Sequence, residues 1–420
     1  MKRRQFIQLV AGASLAAGVP EWASSTAGSA LAASTLPFDG PYFLNIIASG
    51  GMDQSSWCDP RNDQSINRYP GNAKAGRAGN IWYAPIGRNK EIFDKYYDRM
   101  LVFNGLSVTG GHSSGSRWQR TGRKANGFPE FAELYAAIVG NGLPIPWYST
   151  TSGVNPNGLV PYTRIDGNAL KQLGAPNLFN TDIKHQRQEV VDSIKRYRLA
   201  RLEELQKQQK HLPFAKQSIS NLQQARLGTE MFDRLNAALP DTFEGDAHQA
   251  MVQFAAGVTA SATIRSRGGW DTHNAHVTKI DSLCTNMGDI IDQAWKWAET
   301  LGIADQLVIH ISSDVGRTPR FNSKSGKDHW AYGSSTIMMK NAPWGNRVVG
   351  MTGPKHQGTK INPMTLQADS NGVQLNPAHL QRALREILGI DQHPLALKFA
   401  FNEAEVDTLN PNNTSPVITG

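Results

Sequence analysis

The chain has 420 residues, 40% of them hydrophobic and 19% charged, with only two cysteines; that balance supports a core of its own and excludes a disordered chain or a disulfide-stapled scaffold. The net charge is +8, and the surplus is local, since ten Lys or Arg stand against four acids between Lys184 and Arg226. Such a run is either a solvated helical face or an attractor for an anionic ligand, and with no nucleic-acid-binding module beside it no nucleic-acid partner is expected.

In chain order, the first element is a targeting segment. Lys2-Arg3-Arg4-Gln5-Phe6-Ile7-Gln8 sets two arginines before a mild apolar run from Phe6 to Val19, and Ala30-Leu31-Ala32 offers small residues for cleavage. This is the layout of a twin-arginine signal peptide over residues 1–33, read by the twin-arginine translocase. The run is too short and too interrupted by Gly for a stable membrane span. Removing Lys2, Arg3, Arg4 and Glu21 with it leaves about 388 residues and a charge of +6. The expected location is the periplasm or the outside of a bacterium. Export of an already folded chain favours proteins that load a cofactor first, which directs attention to a metal site.

Tyr42–Ala48 reads as a buried strand ending in Ser49-Gly50-Gly51, and Met100–Leu106 as a second, ending before Gly110-Gly111. A helical pattern follows over Phe128–Val139. Residues 141–182 are rich in Gly, Pro, Asn and Thr and predict extended loop with short strands. From Thr181 to Leu239 the texture becomes two long helices, with Val191, Ile194, Leu202 and Leu205 as one apolar stripe, a break at Pro213, and Leu222, Met231, Phe232 and Leu235 on the returning helix. Residues 181–239 therefore predict a helical cap inserted into an α/β domain made of 34–180 and 240–420.

The alternation then resumes: a helix over His248–Val258, a strand over Thr259–Arg265, a helix over Val277–Leu301 and a strand over Leu307–Ile311. Further strands fit Ser335–Met339 and Arg347–Met351, and Asn376-Pro377 marks the cap of a last long helix. Strands alternating with helices imply a largely parallel sheet covered on both faces, with chemistry beyond the carboxyl ends of the strands. Cys58 and Cys284 leave two readings, one bridge or two separate buried thiols.

The residues at those strand ends are Asp53, then His112 and Ser113, then Asp271 and His273, then Asp314, with Asp328-His329 in a later loop. Carboxylates and imidazoles are what Zn²⁺ or Mn²⁺ takes where thiolate is lacking, and they suit Ca²⁺ less well. The candidate metal ligands are Asp53, Asp271, His273, Asp314 and His329, with His276 as an alternative. Any one of these acids read alone is as readily a helix cap or turn former; the weight lies in the group. Arg317, close to Asp314, either holds an anionic substrate or pairs with a carboxylate.

The runs GGMDQSSWCDP, GGWDTH, SSDVGRTPR and KDHW together resemble the exported bacterial family labelled domain of unknown function fifteen hundred and one, over about Pro41 to Ile390. That family is grouped with the alkaline phosphatase and sulfatase superfamily. The resemblance implies an alkaline phosphatase-like fold, a mixed and mostly parallel sheet between helices, with a one- or two-metal centre that activates a nucleophile against a phosphate or sulfate ester. By motif, Asp53 resembles the metal-binding acid after the first strand, Asp271 and His273 the central pair, Asp314 the acid of the Asp-His position and His329 the late histidine. Val315 stands where a phosphatase has a second-metal histidine, and Gly110-Gly111-His112-Ser113-Ser114 reverses the usual Ser-His order. Cys58 lacks the Cys-x-Pro-x-Arg pattern of formylglycine sulfatases. Ser113 is the candidate nucleophile at the start of a helix, where a plain cap is the alternative, with His112 and Arg317 beside it.

Two functions follow from different classes. One is an exported metal-dependent hydrolase acting on an anionic small-molecule or polymer ester; the other is a non-catalytic envelope-binding protein on the same fold.

Overall fold

The computed structural model describes residues 38–419 apart from 152, 153, 155, 176, 178–185, 208–218 and 220–228. The signal segment, the break at Pro213 and the part of the returning helix around Leu222 lie outside the described residues. Two compact units are distinguished. One contains the twenty-residue helix Gln188–Lys207. The other holds the sheet and every candidate site residue.

The strands in chain order are β1 (Tyr42–Ala48), β2 (Gly76–Ala78), β3 (Ile81–Tyr83), β4 (Met100–Ser107), β5 (Trp147–Ser149), β6 (Tyr162–Thr163), β7 (Ser261–Arg265), β8 (Leu307–Ser313), β9 (Gly316–Arg317), β10 (His329–Trp330), β11 (Tyr332–Met339), β12 (Arg347–Val349), β13 (Met351–Thr352) and β14 (Gly358–Thr359). Eight of them form one sheet in the order β12-β4-β11-β8-β1-β7-β5-β6. All its ladders are parallel except the two made by β11, which runs antiparallel to both β4 and β8. The fold is thus mixed α/β with a mostly parallel central sheet, as the alternation of elements implies.

Every residue of β1 is buried, which a strand covered on both faces requires. The helix His112–Thr121 packs on Pro377–Ile387 and Phe131–Val139 on Pro394–Leu397, while Asn89–Tyr96 and Asp246–Ala255 both pack on the 25-residue His276–Thr300. Phe43 of β1 meets Phe131 edge-on at 4.7 Å between ring centroids and stacks near His310 of β8, so the core runs through the sheet's centre. Asn376 caps the helix Pro377–Ile387, its side chain accepting from Ala378 N at 2.8 Å. Cys58 and Cys284 are separate buried thiols. No helix among the described residues is long and apolar enough to cross a membrane.

The direction of β11 matters for function. In a parallel sheet one edge gathers only carboxyl ends, but an antiparallel member delivers its amino end to that edge. His329, just before β11, therefore arrives beside residues that follow β4, β7 and β8.

Candidate metal centre

Asp271 is the hub. Its carboxylate lies 3.1 Å from His273 Nε2, 3.7 Å from His329 Nε2 and 3.8 Å from His112 Nε2. Potential ligand atoms of His112, Asp271 and His329 all fall within 4.8 Å of one another, and His273 Nε2 lies 3.1 Å from His329 Nε2.

Each imidazole is held from behind. His112 Nδ1 lies 2.8 Å from Asp314 Oδ2, His273 Nδ1 2.7 Å from Asp328 Oδ1, and His329 Nδ1 2.7 Å from the Gly110 carbonyl. Facing acceptors, all three Nδ1 atoms donate, so Nε2 is in each case the ring atom that faces Asp271 and that a cation would take. Such outer hydrogen bonds fix the tautomer and orientation of metal-binding histidines. The donor set, imidazole nitrogens with one carboxylate, fits a single Zn²⁺ or Mn²⁺.

Local sequence makes this approach feasible. Gly50 and Gly51 have φ of +109° and +99°, a left-handed conformation that favours glycine. A Cβ at Gly50 would stand 2.6 Å from Asp271 N, and one at Gly51 2.8 Å from Arg317 Nε. The pair lets the β1 loop pass against both residues while its carbonyls accept from Arg317. On the helix His112–Thr121, a Cβ at Gly115 would meet the Asp314 carbonyl at 2.0 Å; only glycine allows the helix to sit close enough for His112 to reach Asp314.

Not every predicted residue takes its expected place. Asp314 is nearly buried and stands one layer back, accepting from Gly50 N, Val315 N and His112, so it fixes the His112 ring. Arg317 is fully buried, and its guanidinium donates to the carbonyls of Gly50, Gly51 and Lys327 and to Asp271 Oδ1 at 2.5 Å. Of the two readings offered by its sequence, the carboxylate pair is the one formed, and no face remains for an incoming anion. Burial works against the Asp271 charge, yet Arg317 and the imidazoles of His273 and His112 outweigh it and hold the carboxyl below its ordinary range. The His273 hydrogen bond lowers Asp328 likewise.

Asp53 belongs to a different, fully buried network. Its carboxylate accepts from Ser55 N, Ser55 Oγ and Ser56 Oγ, lies 3.1 Å from His276 Nε2, and pairs with Lys327 Nζ at 2.8 Å. Burial disfavours its charge, but the ammonium and imidazole prevail and keep the carboxyl well below its usual range. His276, the alternative ligand, is turned into the same network through Thr272 Oγ1 at 2.7 Å, and burial lowers its proton affinity. A cation of the protein's own thus fills the place beside Asp53. Neither Lys327 nor the supporting role of Asp328 was assigned from sequence, although both stand immediately before His329.

Ser113 lies in the first turn of the helix His112–Thr121, with an exposed side chain. It borders a cavity of about 470 Å³ that also reaches His112 and Asp314.

No curated protein matches the chain. Among solved structures, a sulfatase from Pseudoalteromonas sp. is similar at 10% identity and TM-score 0.39, over 97% of this chain and 78% of that one. An alkaline phosphatase from the Antarctic bacterium TAB5 is similar at 12% identity and TM-score 0.32, over 71% and 92%. Residues 249–368, which carry Asp271, His273, Asp314, Arg317 and His329, match the family described as "Protein of unknown function (DUF1501)".

Proposed function

We propose that the protein is an exported, metal-dependent hydrolase of phosphate or sulfate esters. His112, Asp271, His273 and His329 would hold one Zn²⁺ or Mn²⁺, and Ser113 would be the nucleophile. The observation that carries this reading is the convergence of imidazoles, each fixed through Nδ1, with Nε2 aimed at one carboxylate. When bound, the cation supplies Lewis acidity toward an ester oxygen and lowers the pKa of a nearby hydroxyl. The chain supplies the rest. Asp314, Asp328 and the Gly110 carbonyl hold the imidazoles, and Arg317 holds Asp271. Ser113 would attack from a helix amino terminus, where the dipole favours an anionic ester; its Oγ would bond to phosphorus or sulfur as the ester oxygen leaves, the hydroxyl proton going to the departing alcohol, and water would then cleave the Ser113 ester to free the inorganic anion and restore the hydroxyl.

Export is supported by the arginine pair and apolar run of residues 1–33, and residues 181–239 are proposed as an inserted helical cap. The test of function is elemental analysis of the periplasmic protein, coupled to turnover of aryl phosphates, phosphodiesters and aryl sulfates with added Zn²⁺, Mn²⁺ or Ca²⁺. Stoichiometric metal and turnover abolished by Ser113→Ala are expected. Metal without turnover of any ester would overturn the hydrolase and leave the envelope-binding alternative.

A further inference from the structure

The cavity beside Ser113 is unlike a site for an apolar leaving group. Its volume of about 470 Å³ falls within the roughly 300–1,000 Å³ of small-molecule sites and exceeds the needs of one inorganic anion. Such sites are usually lined by apolar and aromatic side chains. Here the lining is mostly hydroxyls and guanidiniums, with the His112 imidazole and the Asp314 carboxylate at the side of the metal centre and Ile47 the sole aliphatic side chain.

Three arginines border the cavity, Arg117, Arg120 and Arg265. Arg120 is committed to Glu130 at 3.1 Å. Arg117 lies one helical turn beyond Ser113 and therefore on the same face; its described contact is the Lys124 carbonyl at 3.3 Å. Arg265 ends β7, paired in register with Ile47 of β1, which is itself paired with Ser312 of β8. Side chains at one level of adjacent strands share a face, so Arg265 projects to the side that Ile47 and Ser312 give to the cavity. The only carboxylate in the lining is Asp314, and its oxygens already accept from Gly50 N, Val315 N and His112. Among the described residues no carboxylate pairs with Arg117 or Arg265. Two guanidiniums facing a concave, hydroxyl-lined space form an anion site.

We propose that this cavity is a second anion subsite, and that the substrate is a small, hydroxyl-rich ester carrying a further phosphate or sulfate group in addition to the one hydrolysed. This rests on the hydrolase reading of the neighbouring metal centre for the word substrate, but the charge preference of the cavity is separable from it. Arg265 and Arg117 take the remote anion, with the polyol between it and Ser113.

The experiment is calorimetric binding of fructose 6-phosphate and fructose 1,6-bisphosphate to the full mature protein carrying Ser113→Ala, so that turnover cannot contribute heat. The bisphosphate should bind at least tenfold more tightly, and adding Arg265→Gln should reduce that advantage to threefold or less while monophosphate affinity holds. Arg265 is exposed, so the variant should unfold at the wild-type temperature; Arg117→Gln is the second variant and should act in the same direction. Equal affinity for the two ligands, or an advantage that survives both substitutions, overturns the subsite. Turnover by the unsubstituted protein is measured in parallel on these esters and on the aryl phosphate, phosphodiester and sulfate panel: charge preference without turnover of any of them sinks the hydrolase alone, and turnover without charge preference sinks the subsite alone.

Discussion

Replacing Asp314 by Asn changes one atom in a way the surrounding hydrogen bonds convert into a large effect on metal affinity. Oδ1 of Asp314 accepts from two backbone donors, Gly50 N at 3.1 Å and Val315 N at 3.0 Å. In the variant the amide oxygen must occupy this position, because an NH₂ there would face two N–H groups. The NH₂ then takes the place of Oδ2 and points at His112 Nδ1, which is 2.8 Å away, while Gly50 N, shared between both oxygens at 3.1 Å, keeps only its bond to Oδ1. A donor facing Nδ1 turns it into an acceptor and moves the imidazole proton to Nε2, the atom that should bind the cation. Loss of an outer-layer partner of this kind typically weakens metal binding by about 10- to 100-fold, or roughly 1.4–2.7 kcal/mol. Competition of the purified protein against a chromophoric chelator for Zn²⁺ measures it, with urea unfolding of the metal-free form as control. Metal-free stability should change little, since the backbone donors keep their acceptor. Wild-type Zn²⁺ affinity in Asp314→Asn would refute the tautomer argument, and with it the place of His112 among the ligands.

The buried pair elsewhere in the site predicts a stability effect instead. Lys327→Met strands the Asp53 carboxylate, which is 1% exposed, and should cost about 3–5 kcal/mol in urea unfolding; adding Asp53→Asn should recover part of it, and strict additivity would refute the pairing. Burial pushes His356 down from 6.5 to about 4, so it stays neutral in the folded chain while the unfolded chain takes up a proton. Its contribution is complete above pH 6.5 and is lost as pH falls toward 4, by roughly 3 kcal/mol. His356→Asn suits the local φ of +53° and should flatten the slope of melting temperature against pH across that window; an unchanged slope counts against it. Arg3→Lys with Arg4→Lys should leave precursor in the cytoplasm on cell fractionation, and normal delivery to the periplasm would remove the twin-arginine assignment. Deletion of 181–239 should leave a core that unfolds cooperatively, whereas a molten product would show that the segment belongs to the main domain.

The sheet was legible because its strands are both-face-buried runs: Tyr42–Ala48 is read at its observed bounds, and β8 extends only two residues past the expected Ile311. Bounds shift where the edge of a pattern is polar. The helix expected from Phe128 begins at Phe131, since Pro129 and Glu130 precede it and the residue before a helix need not share its periodicity. The reversed direction of β11 left no trace in its composition, because parallel and antiparallel strands at a sheet's centre carry the same apolar residues. His329 could be chosen as a ligand from its motif, but not from the topology that brings it there.

The acids divide along a physical line that residue type alone does not draw. Asp53, Asp271 and Asp314 all follow strands of one sheet, and any of them read alone is equally a ligand or a cap. What separates them is the partner each carboxylate already has. Asp53 has Lys327, an ammonium within 2.8 Å and so a compensating charge that needs no added ion. The oxygens of Asp314 are taken by backbone N–H groups and one imidazole, which satisfies an acceptor without a cation. Asp271 is half-exposed, with one oxygen bound to Arg317 and the other facing His112 Nε2 at 3.8 Å, a separation too long for a hydrogen bond and wide enough for an ion between them. Metal-ligand bonds of roughly 2.0–2.2 Å span such a gap when the atoms lie on either side of one cation. The sequence position of Lys327, beside Asp328 and His329, is where this difference is encoded: one short loop sends its lysine inward to neutralise Asp53, its aspartate to His273 and its histidine to the centre.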